Sequence, residues 1–301
     1  MAYRLKRKDK SIEDALRRIA CEQIDRALRS IAETGTAEAV HDVRKRCKKL
    51  RGLVRLVRPA FDGYSARNAA FRDIAGHISH ARDAKVMQDT YDALMHHFHG
   101  RVDRRALGSI RRRFTLDYKE AAREDIGEAL EQARAELEVA RAGTQDWSLS
   151  ADGWEAVGAG LAKTYKKGCK AAAAAIEGGR AEDFHELRKR TKYHWFHTRL
   201  LVGMWPEFMG VRARTAKAIA DTLGDHHDLA VFETRLAAEP DRYGSPRDVE
   251  TAIGLARGRR SRLESEARPL IDRLFAQDPD ALRAHCETLW HAWKAPRLKA
   301  V

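Results

Sequence analysis

Apolar residues recur along this chain at three- and four-residue spacing, and Val, Ile and Thr rarely alternate with period two, so almost every segment reads as amphipathic helix. Residue types that end helices punctuate the pattern at TGT (34–36), FDGYS (61–65), AGTQDWS (142–148), EGGR (177–180), LGD (223–225) and EPDRYGSP (239–246). The spacing predicts roughly ten helices, several of them long, including one over 104–141. An all-α fold of packed bundles follows, rather than a layered one.

The pattern also repeats. His41-Asp-Val-Arg44-Lys45-Arg46-Cys-Lys48 returns as His185-Glu-Leu-Arg188-Lys189-Arg190-Thr-Lys192, 144 residues on from 41 to 185. IAGHISHARDAKVM (74–87) then aligns with IADTLGDHHDLAVF (219–232), 145 residues on from 74 to 219. A duplicated half-chain predicts two related, pseudo-symmetric helical bundles, over 10–143 and 150–301 of a single domain spanning 1–301, with AGTQDWSLSADGW (142–154) as the boundary.

Composition narrows the partners. A chain of 301 residues buries a sizeable core without staples, and the four cysteines, far apart and without a CxxC pair, suggest neither a disulfide framework nor a zinc knuckle. A reducing cytoplasm is expected. MAYRLKRKDKSIED has no apolar stretch behind its basic residues, and no run reaches the ~20 apolar residues of a membrane span. The net charge of +13 and pI of 9.7 call for a polyanion: nucleic acid, an acidic membrane surface or a phosphate polymer.

Helical geometry shows where that charge is gathered. At about 100° per residue, Arg44, Lys45, Lys48 and Arg55 fall within roughly 60° of His41, while Val43, Cys47, Leu50, Val54 and Val57 fall opposite. In the second copy His185, Arg188, Lys189, Lys192 and Arg199 share a face, with Leu187, His194, Thr198 and Leu201 behind; Tyr193 and Trp195 replace Lys49 and Arg51. A charge run on a helix is ordinarily a solvated face balanced by acids at i±4. Within 44–58 there is no acid, and the like-charged pairs Arg44/Lys48, Lys45/Lys49 and Arg51/Arg55 repel. Each pair costs a few tenths of a kcal/mol unless an anion offsets it. The repetition of this pattern at Arg188 and Lys192 favours an anion site.

HDVRKRCKKLR, HELRKRTKY, SHARDAKV and LGDHHDLAV, in this paired order, resemble the conserved histidine α-helical domain, the CHAD family, over essentially the whole chain. The resemblance implies two four-helix bundles with long antiparallel helices, enclosing a basic central cleft or channel that binds inorganic polyphosphate. In some members it implies targeting to cytoplasmic polyphosphate granules. The family positions correspond to His41, Arg44, Lys48, Lys49, Arg51 and Arg55, and to His185, Arg188, Lys192 and Arg199. Lys45 and Lys189 from the ridges, and Arg82 and His227 from the downstream segments, complete the candidate set. Tyr193 and Trp195, where basic residues are typical, and SHARD (79–83), in place of the L-G-D form, depart from the pattern.

Polyphosphate is a flexible strand of charge without bases, so cations spaced along a groove must recognise it, Arg by bidentate forks and Lys as a point charge. Two ridges face to face would clamp the strand, and His41 and His185 would strengthen binding as pH drops through about 6.5. The alternatives are a single-stranded nucleic-acid binder, which ordinarily adds aromatic stacking platforms, a metal-dependent phosphate hydrolase, and a scaffold for acidic proteins. HHFH (96–99) and DHHD (225–228) hold metal-ligand residue types without HExxH spacing, and Asp225 or Asp228 at an apparent helix junction reads as an N-cap. ELEVA (136–140) lacks the Lys of the ExExK strand that marks a triphosphate-tunnel enzyme domain. A non-catalytic binder with no cofactor is therefore expected.

Overall fold

The computed structural model describes residues 3–121 and 126–296, the side chains of 80–83 excepted. Twelve α-helices occur among the described residues: α1 (Ile12–Glu33), α2 (Thr36–Leu56), α3 (Tyr64–His77), α4 (His80–His97), α5 (Gly108–Ala121), α6 (Ile126–Ala142), α7 (Gly153–Gly178), α8 (Ala181–Leu200), α9 (Pro206–Ala238), α10 (Pro240–Tyr243), α11 (Pro246–Leu274) and α12 (Pro279–Lys294). Local chemistry sets several of the ends. Ser11, Ser245 and Asp278 accept backbone N–H groups as N-caps. Gly179 closes α7 in the left-handed region at φ 63°.

Two expectations are corrected. LGD (223–225) and DHHD (225–228) lie inside the uninterrupted α9, not at a helix junction, so Asp225 and Asp228 cap nothing. The aligned first-copy segment does break, between α3 and α4. There the Ala75 carbonyl is taken by Arg44 Nη1 (3.0 Å) and Ser79 Oγ (2.8 Å), and the Ser79 N–H turns to the Gly76 carbonyl instead. Side-chain competition of this kind interrupts the helical ladder. The counterpart of Ser79 in the alignment is Gly224, which has no hydroxyl, and α9 continues through it. In the predicted 104–141 helix, α5 and α6 occupy the described parts.

Three buried apolar clusters organise the described helices. The first joins α1, α2, α3 and α6 to the start of α7, the end of α8 and α12, with Phe71, Leu137, Trp154 and Trp290 among its members. The second packs the α4–α5 hairpin against the distal half of α9 and the proximal half of α11, around Tyr91, Phe114 and Phe232. The third unites the remainder of α7, α8, α9 and α11. α9 and α11 therefore run through two cores each. The 142–154 connection is pinned to the first core: Trp147 is buried, Ser150 N–H donates to the Ala60 carbonyl (2.9 Å) and Ile12 N–H donates to Asp152 Oδ1 (2.6 Å).

Two close approaches position the basic helices. α2 and α8 meet antiparallel at Gly52 and Phe196, where a Cβ added to Gly52 would lie 2.8 Å from the Phe196 Cβ, and His197 Nε2 bonds the Gly52 carbonyl at 3.0 Å. α7 lies on the last turn of α2, because Gly160 has no side chain to strike the Leu56 carbonyl. No described helix is long and apolar enough to cross a membrane. Cys21, Cys47, Cys169 and Cys286 are free thiols, and burial pushes Cys47 up to about 12.

Candidate anion-binding site

The residues that meet where α2 crosses α8 hold equivalent places in the repeat. The 144-residue offset carries Gly52 to Phe196, Arg55 to Arg199 and Lys49 to Tyr193. On one flank the Arg55 guanidinium lies over Tyr193 at 4.2 Å and donates to Tyr64 Oη at 2.6 Å. On the other, Arg199 lies 5.1 Å over Trp195 and 5.8 Å over Tyr3. Tyr193 and Trp195, the departures from the family pattern, are thus platforms for cations, Tyr193 for Arg55 of α2 and Trp195 for Arg199 of its own helix. Gly52 and Phe196 both fall on the ridge side of their helices, so the ridges touch at the crossing and leave no gap there for a strand. The expected clamp is accordingly replaced by two cationic flanks, one on each side of a closed contact.

The flanks differ in what covers them. Tyr3, from the segment preceding α1, fills the Lys49/Arg199 flank: its hydroxyl donates to the Lys49 carbonyl (2.8 Å), and its ring lies beneath Lys49 Nζ (5.5 Å) and edge-on to Phe196. A backbone bond from Leu5 N–H to the Leu200 carbonyl (2.9 Å) holds that segment in place. Lys49 is buried; burial first, then Arg46 and Arg199, push its ammonium down to about 8. Lys49 is therefore a covered residue rather than a surface one. On the Arg55 flank the covering residues are Tyr64 and Tyr193, and Arg55 is half-buried like Arg199.

The remaining candidates fall into distinct roles. Arg44 holds the end of α3 through Ala75 and Ser79, placing a cation at a helix C-terminus. Its counterpart Arg188 lies against Gly224, with Nη2 3.3 Å from where a Cβ would stand. Glycine in the L-G-D segment thus makes room for a guanidinium. Asp42 takes Lys45 and Arg46, and Glu186 takes Lys189 and Arg190, so the second residue of each motif neutralises charge that the 44–58 window appeared to leave unbalanced. Arg51 donates to Asn68 Oδ1 (3.3 Å). Lys48 and Lys192 are half-buried, and His41 is exposed near the start of α2. The Arg82 side chain lies outside the described residues.

His185 and His227 stack with ring centroids 3.9 Å apart, beside Lys189 in a cavity of about 690 Å³. Burial first, then the facing His227 and the cations Lys189 and Arg188, hold His185 down to about 4. Burial and Arg188 do the same for His227, also to about 4. The expected titration near 6.5 is thus corrected for His185: at neutral pH both rings act as neutral hydrogen-bonding groups. A second cavity of about 500 Å³ between α4, α9 and α11 exposes Asp89, His97, Asp225 and Arg259. Among the described residues no three His, Cys, Asp or Glu are grouped to hold a metal ion.

Two histidines behind the site set its acid stability. His194 and His197 are buried; burial leads in both, holding His194 far below 6.5 and His197 at about 3. Because these folded values lie below the unfolded one, the unfolded chain gains protons first, and stability is complete above 6.5 and lost as pH falls below it. Each ring gives a slope of about 1.4 kcal/mol per pH unit. Urea unfolding is expected to be level above neutrality and to lose at least roughly 3 kcal/mol per unit below pH ~6 from these two rings, with His185 and His227 adding to the slope. Unchanged stability down to pH ~5 would contradict the burial of these rings.

Several cations at the site were not reached from the motif. The Nε–H groups of Arg55, Arg58 and Arg188 are buried and have no acceptor. Arg58 lies over Tyr64 at 5.4 Å, beside Arg55. α7 presents exposed Lys163, Lys166, Lys167 and Lys170 at helical spacing. The criterion that found the α2 ridge, like charges at i and i+4 with no acid between, also finds these lysines when applied outside the His-led repeat.

A family model described as CHAD domain matches residues 12–237. The fold resembles PptA from Streptomyces chartreusis at 17% identity and a TM-score of 0.59, covering 88% of this chain and 98% of that one. It also resembles the CHAD domain from the plant Ricinus communis at 20% identity and a TM-score of 0.58, covering 99% and 98%. No curated protein matches the chain.

Proposed function

Because the chain belongs to the CHAD domain family, we propose that it binds inorganic polyphosphate without chemical turnover, at the basic surface where α2 and α8 cross. The observation that carries this reading is the set of buried guanidinium Nε–H groups on Arg55, Arg58 and Arg188 that lack an acceptor. A buried donor left unmade costs about 1–3 kcal/mol, more when charged, and an anion would offset that by bonding the outer nitrogens of the same guanidinium groups. His185 and His227 add neutral N–H donors. Association with polyphosphate granules in the cytoplasm extends the same reading.

Single-stranded nucleic acid is the rival, and Tyr64, Tyr193 and Trp195 supply aromatic surface near the cations. One face of each is covered by Arg55, Arg58 or Arg199, however, which reduces the surface left to stack on bases. The test is competition at equal phosphate concentration, in which long-chain polyphosphate is expected to displace single-stranded RNA and not the reverse. With about five phosphate contacts, affinity should fall about 100-fold between 50 and 200 mM salt. Displacement of polyphosphate by RNA, or phosphate release with Mg²⁺ or Mn²⁺ above background, would overturn the reading.

A further inference from the structure

We infer that the bound phosphate chain leaves the α2–α8 crossing on its Arg55 side and continues over α7, where Arg58, Lys163 and Lys167 hold it. The inference rests on the polyphosphate reading of the crossing and adds a path to it.

Four observations lead there. First, the two flanks of the crossing are equivalent in the repeat but differ in what adjoins them, since Tyr3 lies on the Arg199 flank while Arg58 and α7 lie on the Arg55 flank. Second, the Gly160 contact brings the α7 backbone against the Leu56 carbonyl, so Lys163 and Lys167, about one and two turns farther along α7, pass beside Arg55 and Arg58. The charges that lower the Lys167 ammonium, after burial, are those of Arg190, Arg58, Lys163 and Arg55, all cations. Third, α7 carries no acid from Ala156 to Ile176, so its lysines have no partner on their own helix. Lys163 with Lys167, and Lys166 with Lys170, repel at i and i+4, and the Ala-rich composition of α7 supplies the helix propensity to tolerate it. Fourth, the Arg55 and Arg58 Nε–H groups that lack acceptors lie at the junction between crossing and stripe. A strand already held by Arg55 therefore meets a second row of cations with no competing carboxylate on α7.

Chain length separates this extension from the crossing itself. Tripolyphosphate spans only the crossing, whereas long-chain polyphosphate reaches α7. The Lys163→Gln/Lys167→Gln variant changes only exposed side chains, so the fold is retained. It is expected to weaken long-chain polyphosphate about 10-fold, to lower the salt slope by about 1.4, and to leave tripolyphosphate unchanged. A matched removal of two charges from α5, Arg112→Gln/Lys119→Gln, is expected to change neither. Long-chain binding unaffected by the α7 variant, equal loss for both lengths, or an equal loss in the α5 control would each overturn the path. Arg188→Gln separates the two levels: if it weakens binding while the α7 variant does not, the path fails and the polyphosphate reading stands. If neither matters, the polyphosphate reading fails with it.

Discussion

Replacing Arg188 and Lys192 together with glutamine is expected to weaken polyphosphate binding on the order of 100-fold or more at physiological salt. Arg188 has a seat made for it by Gly224 and a buried Nε–H without an acceptor, so its guanidinium is already oriented before an anion arrives. Charge-assisted hydrogen bonds are worth about 1.5–3 kcal/mol each, and losing two accounts for at least that factor. The informative contrast is Lys45→Gln with Lys189→Gln. The net charge removed is the same, but these lysines are already paired with Asp42 and Glu186, and a loss of only a few-fold is expected. Isothermal titration with long-chain polyphosphate measures both. Equal losses would mean that total charge, not the placed guanidinium, governs binding. Arg44 is a poorer choice for this test, because its bonds to Ala75 and Ser79 also hold the end of α3.

Gly160→Val is expected to destabilise the whole chain, by about 1–3 kcal/mol from overpacking and more if α7 lifts off α2. The added side chain has nowhere to go: the nearest atoms are the backbone carbonyls of Leu56 and Arg55, which cannot rotate aside as a side chain would. Gly254→Ala and Gly258→Ala on α11 provide the opposite case, since a Cβ there meets nothing within 4 Å. Those two are expected to stabilise by roughly 0.5–1 kcal/mol each through helix propensity alone. Urea midpoints that fall for Gly160→Val and rise for the two α11 variants would confirm that the α2–α7 contact is a packing constraint. A rise for Gly160→Val would show that the two helices are not in contact.

The helical fold and the two basic ridges were legible in the sequence because both follow from the 3.6-residue period, which needs only neighbours along one helix. Features made by distant parts of the chain were not. Gly224 reads locally as a helix stop, and only the guanidinium of Arg188, arriving from α8, explains a glycine inside α9. The α3–α4 break has the same origin, in Arg44 reaching across to Ala75 and Ser79. Asp42 and Glu186 were visible one turn from the cations they neutralise, yet they fall outside a window that begins at Arg44 or Arg188. Lys49 entered the candidate set through the family pattern, and nothing near it in sequence announces that Tyr3 covers it. The α7 lysines obey the same repulsion rule as the ridges, and they were passed over because no histidine heads them.

Tyr3 has a consequence for the symmetry of recognition. Linear inorganic polyphosphate has no head and no tail, and a site built from two matched ridges would accept it in either sense with equal affinity. By covering one flank, a residue from outside the repeat makes the matched pair unequal. If the phosphate chain binds as proposed, its two equivalent ends would meet unlike surroundings, the lysines of α7 on one side and an aromatic ring on the other.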